Sequence, residues 1–175
     1  GERGVGKTHP PFLFRGRGIG AAEGKASMGD QLKSITSVLL AGGRSRRMGR
    51  DKRFIDLDGR TLFERTLSVL EKLFPEVVVV VAELTPDLPK LGHHRVVRDI
   101  ITDCASLGGL YSGLFHATQP RTFAVACDMP FLNVELLRYM SSQTEGYDVV
   151  IPRLEGSLEP LHAIYSKACI EPIRA

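Results

Sequence analysis

Residues 39–52 read Leu-Leu-Ala-Gly-Gly-Arg-Ser-Arg-Arg-Met-Gly-Arg-Asp-Lys, and they follow an apolar, β-branched run that begins at Ile35. The run reads as a buried first strand over residues 35–41 that opens into a glycine loop. Glycines at a strand exit let backbone amides come close to a ligand, and clustered cations then neutralise it. Six of the ten residues from Arg44 to Arg53 are basic, whereas the whole chain carries a net charge of only +3. Charge concentrated beside a glycine turn suits a small polyanion; a nucleic-acid backbone calls for a spread-out stripe. The stretch therefore predicts a nucleotide site.

Outward from that strand the pattern alternates. Thr61 and Glu64 form a capping box ahead of a helix with apolar positions at Leu62, Phe63, Leu67, Leu70 and Leu73, which Pro75 ends. Residues 77–81 are all valine. Such unbroken apolarity belongs to a strand covered on both faces, as in a parallel sheet. Further strands are expected at 95–98, 122–127, 147–151 and 161–165, with helices over 106–117 and after Asn133. Buried strands alternating with helices predict a three-layer α/β/α sandwich with a mostly parallel sheet. Residues 1–33, rich in Gly, Arg, Lys and Pro, are expected to be a disordered or non-native extension, and 34–175 the functional domain. The chain stops in what reads as the first turns of another helix, so the C-terminal part of the domain is expected to be missing.

A chain of 175 residues, 43% hydrophobic and 25% charged, fits one globular domain. No run approaches the ~18 apolar residues of a membrane span. Neither a membrane nor a nucleic acid is an expected partner. Cys104, Cys127 and Cys169 are odd in number and show no C-x-x-C spacing. They predict neither a disulfide framework nor a zinc site, and they suit small thiols in a reducing cytoplasm.

In open α/β sheets ligands bind beyond the carboxyl ends of the strands. Asp99 follows the 95–98 strand and Asp128 follows the 122–127 strand, inside Cys127-Asp128-Met129-Pro130. A carboxylate near bound phosphates can anchor Mg²⁺, which prefers oxygen ligands; otherwise Asp128 caps the next turn. Its place at a strand end beside the basic loop favours the metal. Arg47 and Lys52 are the candidate phosphate contacts, while Arg44, Arg46, Arg50 and Arg53 also fit a solvated loop. Residues 1–8 match G-x-x-x-x-G-K-[ST], but no strand precedes them and Pro10-Pro11 blocks the helix a P-loop needs. The histidines lack ligand spacing. His162, beside Glu159-Pro160-Leu161, either faces the pocket or plays a structural part on a strand.

The stretch from Leu40 to Lys52 resembles the nucleotide-binding signature of the molybdenum cofactor guanylyltransferases, a family of the nucleotide-diphospho-sugar transferase-like group with a Rossmann-like α/β/α fold. Arg98-Asp99, Leu107-Gly108-Gly109, Cys127-Asp128-Met129-Pro130 and Glu159-Pro160-Leu161-His162-Ala163-Ile164-Tyr165 agree with it in order. The resemblance implies that Leu40, Ala41, Gly42 and Gly43 line the nucleotide, that Lys52 and Asp99 contact it, and that Asp128 binds both nucleotide and Mg²⁺. Arg47, Lys52 and Asp128 would be catalytic. The family's Asn in the second long strand is replaced here by Val79-Val80-Val81, and its C-terminal Asn-Thr-Pro element is absent. The implied reaction moves GMP from GTP to molybdopterin, giving the guanine dinucleotide and pyrophosphate, with molybdoenzyme maturation proteins as further partners. Alternatives on the same fold are a molybdopterin cytidylyltransferase, a sugar-phosphate nucleotidylyltransferase, or a non-catalytic nucleotide-binding fragment. Those relatives tend toward Ala-Ala-Gly where this chain has Ala41-Gly42-Gly43, which favours a purine.

Overall fold

The computed structural model describes residues 12–15, 18–21, 31–42, 56–57, 59–84, 93–101, 104–129 and 131–175. In chain order the elements are β1 (Phe12–Arg15), β2 (Gly18–Ala21), β3 (Ile35–Leu40), β4 (Asp56–Leu57), β5 (Arg60–Thr61), α1 (Leu62–Leu73), β6 (Glu76–Val81), β7 (Arg95–Arg98), α2 (Ala105–His116), β8 (Arg121–Ala126), α3 (Val134–Ser142), β9 (Val149–Ile151), β10 (Arg153–Leu154), β11 (Ser157–Leu158), β12 (His162–Ser166) and α4 (Ile170–Arg174). Short 3₁₀ turns precede β3 and α4.

One eight-stranded sheet runs β2-β1-β9-β12-β8-β3-β6-β7. Strands β8, β3, β6 and β7 are parallel, in register through Leu40 with Ala126 and Val80. Strand β12 runs antiparallel to both β8 and β9, so β9 points the same way as β8. The valine run is buried throughout because both faces are covered. Val77, Val79 and Val81 join Leu39, Phe123, Ile164 and the apolar stripes of α1 and α3. Val78 and Val80 join Val38, Leu40 and Val97 on the opposite face, while Ala124, Ala163 and Tyr165 pack with α2 and α4. The three-layer expectation holds, with β1 and β12 reversed. No helix among the described residues is long and apolar enough to cross a membrane.

Helix α1 opens on the expected capping box. The Thr61 hydroxyl accepts from the Glu64 N–H at 3.1 Å, and the Glu64 carboxylate accepts from the Thr61 N–H at 2.9 Å. Helix α2 starts one residue before the expected Ser106, and Cys104 gives it no side-chain cap. Strand β12 is shifted by one residue from the expected 161–165, and β8 spans Arg121–Ala126, which leaves Cys127 in the turn. Within the segment 1–33, expected to be a disordered or non-native extension, β1 and β2 pair as a hairpin, and β1 pairs with β9. The P-loop-like residues 1–8 lie outside the described residues.

At the amino-terminal edge of the sheet, Glu76 ties four segments together. Its carboxylate accepts from the Thr36 hydroxyl and from the N–H and hydroxyl of Thr118, and it pairs with Arg95 at 3.3 Å. Burial opposes its charge, but these hydrogen bonds and the Arg95 guanidinium hold the carboxyl below its ordinary range.

Candidate functional site

The parallel strands β3, β6, β7 and β8 end together, and the residues just past each end are stitched to the neighbouring strand. The Ala41 N–H donates to the Val80 carbonyl at 2.9 Å, the Asp99 N–H to Val81 at 2.8 Å, and the Cys127 N–H to Leu40 at 3.2 Å. The ladder thus continues one residue beyond the strands, and it sets Gly42, Asp99 and Asp128 along one carboxyl-terminal crest.

Leu40 and Ala41 are buried, with 6% and 4% exposure. The Leu40 side chain packs beneath α2 and that of Ala41 faces the opposite core, so what they present at the crest is backbone. Gly42 is exposed. A Cβ there would lie 3.1 Å from the Ala82 backbone nitrogen, so glycine is what lets this turn run against the end of β6. Gly43, Arg47 and Lys52 lie outside the described residues.

Asp99 is half-buried and held from two sides. Its Oδ1 accepts from the Ile101 N–H at 3.1 Å and from the Ser112 hydroxyl at 2.7 Å. The same Ser112 oxygen accepts from the Ile100 N–H at 2.8 Å and lies 2.9 Å from the Gly108 carbonyl. Ser112 itself is fully buried. Gly108 makes this approach possible, because a Cβ there would collide with the Ile101 carbonyl and sit 3.2 Å from Asp99 Oδ2. The Leu107-Gly108-Gly109 motif therefore serves to dock α2 flush against the Asp99 turn. Sequence reasoning passed over Ser112. Its signal was a hydroxyl on the face of an almost wholly apolar helix, where burial requires a partner.

Asp128 is exposed in the turn after β8, where the Met129 N–H donates to the Ala126 carbonyl at 3.2 Å. Pro130 lies outside the described residues. Among the described residues no group of three His, Cys, Asp or Glu side chains could hold a metal by itself. Asp128 is nonetheless a suitable donor for Mg²⁺, which retains waters and completes its shell with substrate phosphates around one or two carboxylates.

His162 sits on the last rung of the β8–β12 ladder, opposite Val125. Its ring stands edge-on to Phe123 with centroids 5.2 Å apart, and its Nε2 is buried without a hydrogen-bond partner among the described residues. Burial holds the imidazole below its ordinary pKa and favours the neutral form. The ring faces the core shared with Phe123, which is the structural alternative of the two readings. Nearby, the Tyr165 hydroxyl donates to the Pro160 carbonyl at 2.7 Å and fixes the turn into β12. Between the start of α2, Pro160-Leu161 and α4 lies an open apolar cleft of about 470 Å³, lined in part by Leu107, Leu110 and Ile173.

The family described as MobA-like NTP transferase domain matches residues 37–175. A curated protein of Pelotomaculum thermopropionicum named "Probable molybdenum cofactor guanylyltransferase" is 44% identical over 138 residues, which is 79% of this chain and 66% of that protein. A "Molybdenum cofactor guanylyltransferase" of Desulfosudis oleivorans is 37% identical over 145 residues, 81% of this chain and 70% of that one. Among solved structures, molybdopterin-guanine dinucleotide biosynthesis protein A of Archaeoglobus fulgidus is similar with a TM-score of 0.67 at 26% identity, covering 79% of this chain and 71% of that one. The chain spans about two thirds of the length of the first of these curated relatives.

Proposed function

Because the chain belongs to the MobA-like NTP transferase domain family, we propose that it transfers GMP from GTP to the terminal phosphate of molybdopterin, forming molybdopterin guanine dinucleotide and pyrophosphate. The observation that carries this reading is the convergence of Gly42, Asp99 and Asp128 on one crest, just past the ends of parallel strands. We place the reaction in the reducing cytoplasm, in keeping with Cys104, Cys127 and Cys169, which form no disulfide among the described residues.

The acceptor phosphate is already anionic, so no side chain need take a proton from it. An oxygen of that phosphate forms a bond to the α-phosphorus of GTP. The bridging bond between the α- and β-phosphates breaks, and its electron pair departs on pyrophosphate. Catalysis is then positioning and charge neutralisation. Gly42 lets the nucleotide lie against the backbone, and the Asp99 carboxylate, steadied by Ser112, offers an acceptor to a nucleotide N–H or hydroxyl. Arg47 and Lys52 of the basic loop neutralise the departing pyrophosphate. Asp128 would hold Mg²⁺, which when bound supplies positive charge and a fixed orientation to the phosphate oxygens.

Pyrophosphate release with molybdopterin, Mg²⁺ and each of GTP, CTP, ATP and UTP tests the reading. GTP is expected to exceed CTP at least tenfold, and faster turnover of CTP overturns the guanine assignment. Asp128→Asn is expected to lose about 10²-fold or more in rate with an unchanged melting temperature. Wild-type protein that binds GTP but never yields the dinucleotide is a binding module instead.

A further inference from the structure

Phe131 is 83% exposed, more than any other large apolar side chain among the described residues. Its surroundings are nevertheless fixed. Met129 and Leu132 pack against the core face covered by α1 and α3. The Asn133 side chain accepts from the Leu136 N–H at 3.1 Å and caps α3. The ring is thus held outward between two anchored neighbours. A large apolar side chain kept in water forgoes the gain of burial, and a ring so placed at a ligand-binding crest has the form of a platform awaiting a partner.

Its location says which ligand would cover it. Phe131 lies three residues past Asp128, so their Cα atoms are within about 11 Å. The nucleotide features lie over β3, β6 and β7: Gly42 against Ala82, and Asp99 at the end of β7. From Asp128 the chain runs into α3, which packs on β9 and on the 3₁₀ turn before β3, and so lies across the β12–β8 part of the sheet and away from β6 and β7. The β10–β11 hairpin, turned by Glu155 and Gly156 at positive φ, rises from that same side and carries exposed Leu154 and Leu158. A nucleotide held against Gly42 and Asp99, over β3, β6 and β7, leaves the crest over β8, β12 and β9 for the acceptor, and Phe131 follows Asp128, just past β8, by three residues.

We propose that Phe131 is the stacking platform for the planar nitrogen heterocycle of the acceptor substrate. This rests on the GMP-transfer reading, in which that heterocycle is a pterin. Stacking of a flat heterocycle on an aromatic ring is worth about 1–3 kcal/mol by alanine substitution, which corresponds to about 5- to 150-fold in affinity.

The test is steady-state dinucleotide formation by wild type, Phe131→Ala, Phe131→Leu and Phe131→Trp, with molybdopterin and GTP varied separately. A parallel titration without GTP reads molybdopterin binding by its pterin fluorescence. Phe131→Ala is expected to raise the KM and Kd for molybdopterin about tenfold and to leave the KM for GTP within twofold. Trp is expected to restore wild-type values and Leu to fall short of them. The proposal is overturned if Ala leaves the molybdopterin constants within twofold, if the KM for GTP rises equally, or if Leu restores fully. It is also overturned if Leu107→Ala in the apolar cleft has the expected effect and Phe131→Ala does not, or if light scattering shows Phe131→Ala splitting a dimer. Wild-type turnover with an insensitive Phe131→Ala sinks the platform and leaves the transfer reading standing. Phe131-dependent binding without any turnover does the reverse.

Discussion

Replacing Ser112 with alanine isolates the network that holds Asp99 in place among the described residues. The change is nearly isosteric, so it opens no cavity, and its effect is carried by hydrogen bonds. The hydroxyl donates to the Asp99 carboxylate at 2.7 Å and accepts from the Ile100 N–H at 2.8 Å, in a fully buried position. A hydrogen bond to a charged group contributes about 1.5–3 kcal/mol and a neutral one about 1 kcal/mol. Alanine recovers a few tenths of a kcal/mol through helix propensity. Asp99, half-buried, keeps the Ile101 N–H at 3.1 Å. The expected net loss is about 2 kcal/mol, or about 4–8 °C in Tm for a chain of this size. Urea unfolding reads the stability, and isothermal titration with GTP reads the site, where at least a fivefold weakening is expected because the Asp99 carboxylate loses its anchor. A double-mutant cycle with Asp99→Ala is expected to show a coupling of about 1 kcal/mol or more. A Ser112→Ala protein within ~0.5 kcal/mol of wild type, or strictly additive single changes, would refute the reasoning.

His162 has a folded pKa below its ordinary 6.5, so wild-type stability is full above that value and declines as pH falls from it through the folded pKa; in His162→Phe, urea midpoints measured across that range are expected to decline less steeply. Glu76 has a folded pKa below 4.5, so its contribution is full above that value and disappears as pH falls through the folded pKa; Glu76→Gln is expected to be less stable at neutral pH and to flatten the acid limb of the unfolding profile. Gly42→Val forces a branched side chain toward the Ala82 backbone nitrogen, 3.1 Å from the Cβ position; overpacking of about 1–3 kcal/mol and a matching loss of GTP affinity are expected, measured by thermal melting and titration.

Much of the architecture was legible because burial on both faces leaves a plain mark on a strand. The valine run at 77–81, the capping box of Thr61 and Glu64, and the Asn133 cap each specify a local structure through a few bonds close in sequence. The β1–β2 hairpin escaped a reading based on composition. Its four-residue strands are joined to the sheet by pairing with β9, more than a hundred residues away.

The site divides along the same line. By itself the sequence determined the order of the main strands and helices from β3 onward, the glycine-and-arginine loop after β3, and the two carboxylates that follow later strands. Backbone hydrogen bonding and hydrophobic periodicity are local or repeating, so a single chain displays them. Only the tertiary structure decided that Leu40 turns its side chain into the core with Val78, Val80 and Val97 and leaves its backbone at the crest, that Gly108 is small for the sake of the Asp99 turn, and that buried Ser112 steadies that carboxylate. It also decided that His162 turns toward Phe123 and that Phe131 points to solvent. The sequence around Phe131, between a proline and a leucine, does not say whether the ring is core or surface. Whether its ring is covered depends on which elements pack over it, and that is fixed by contacts between segments distant along the chain.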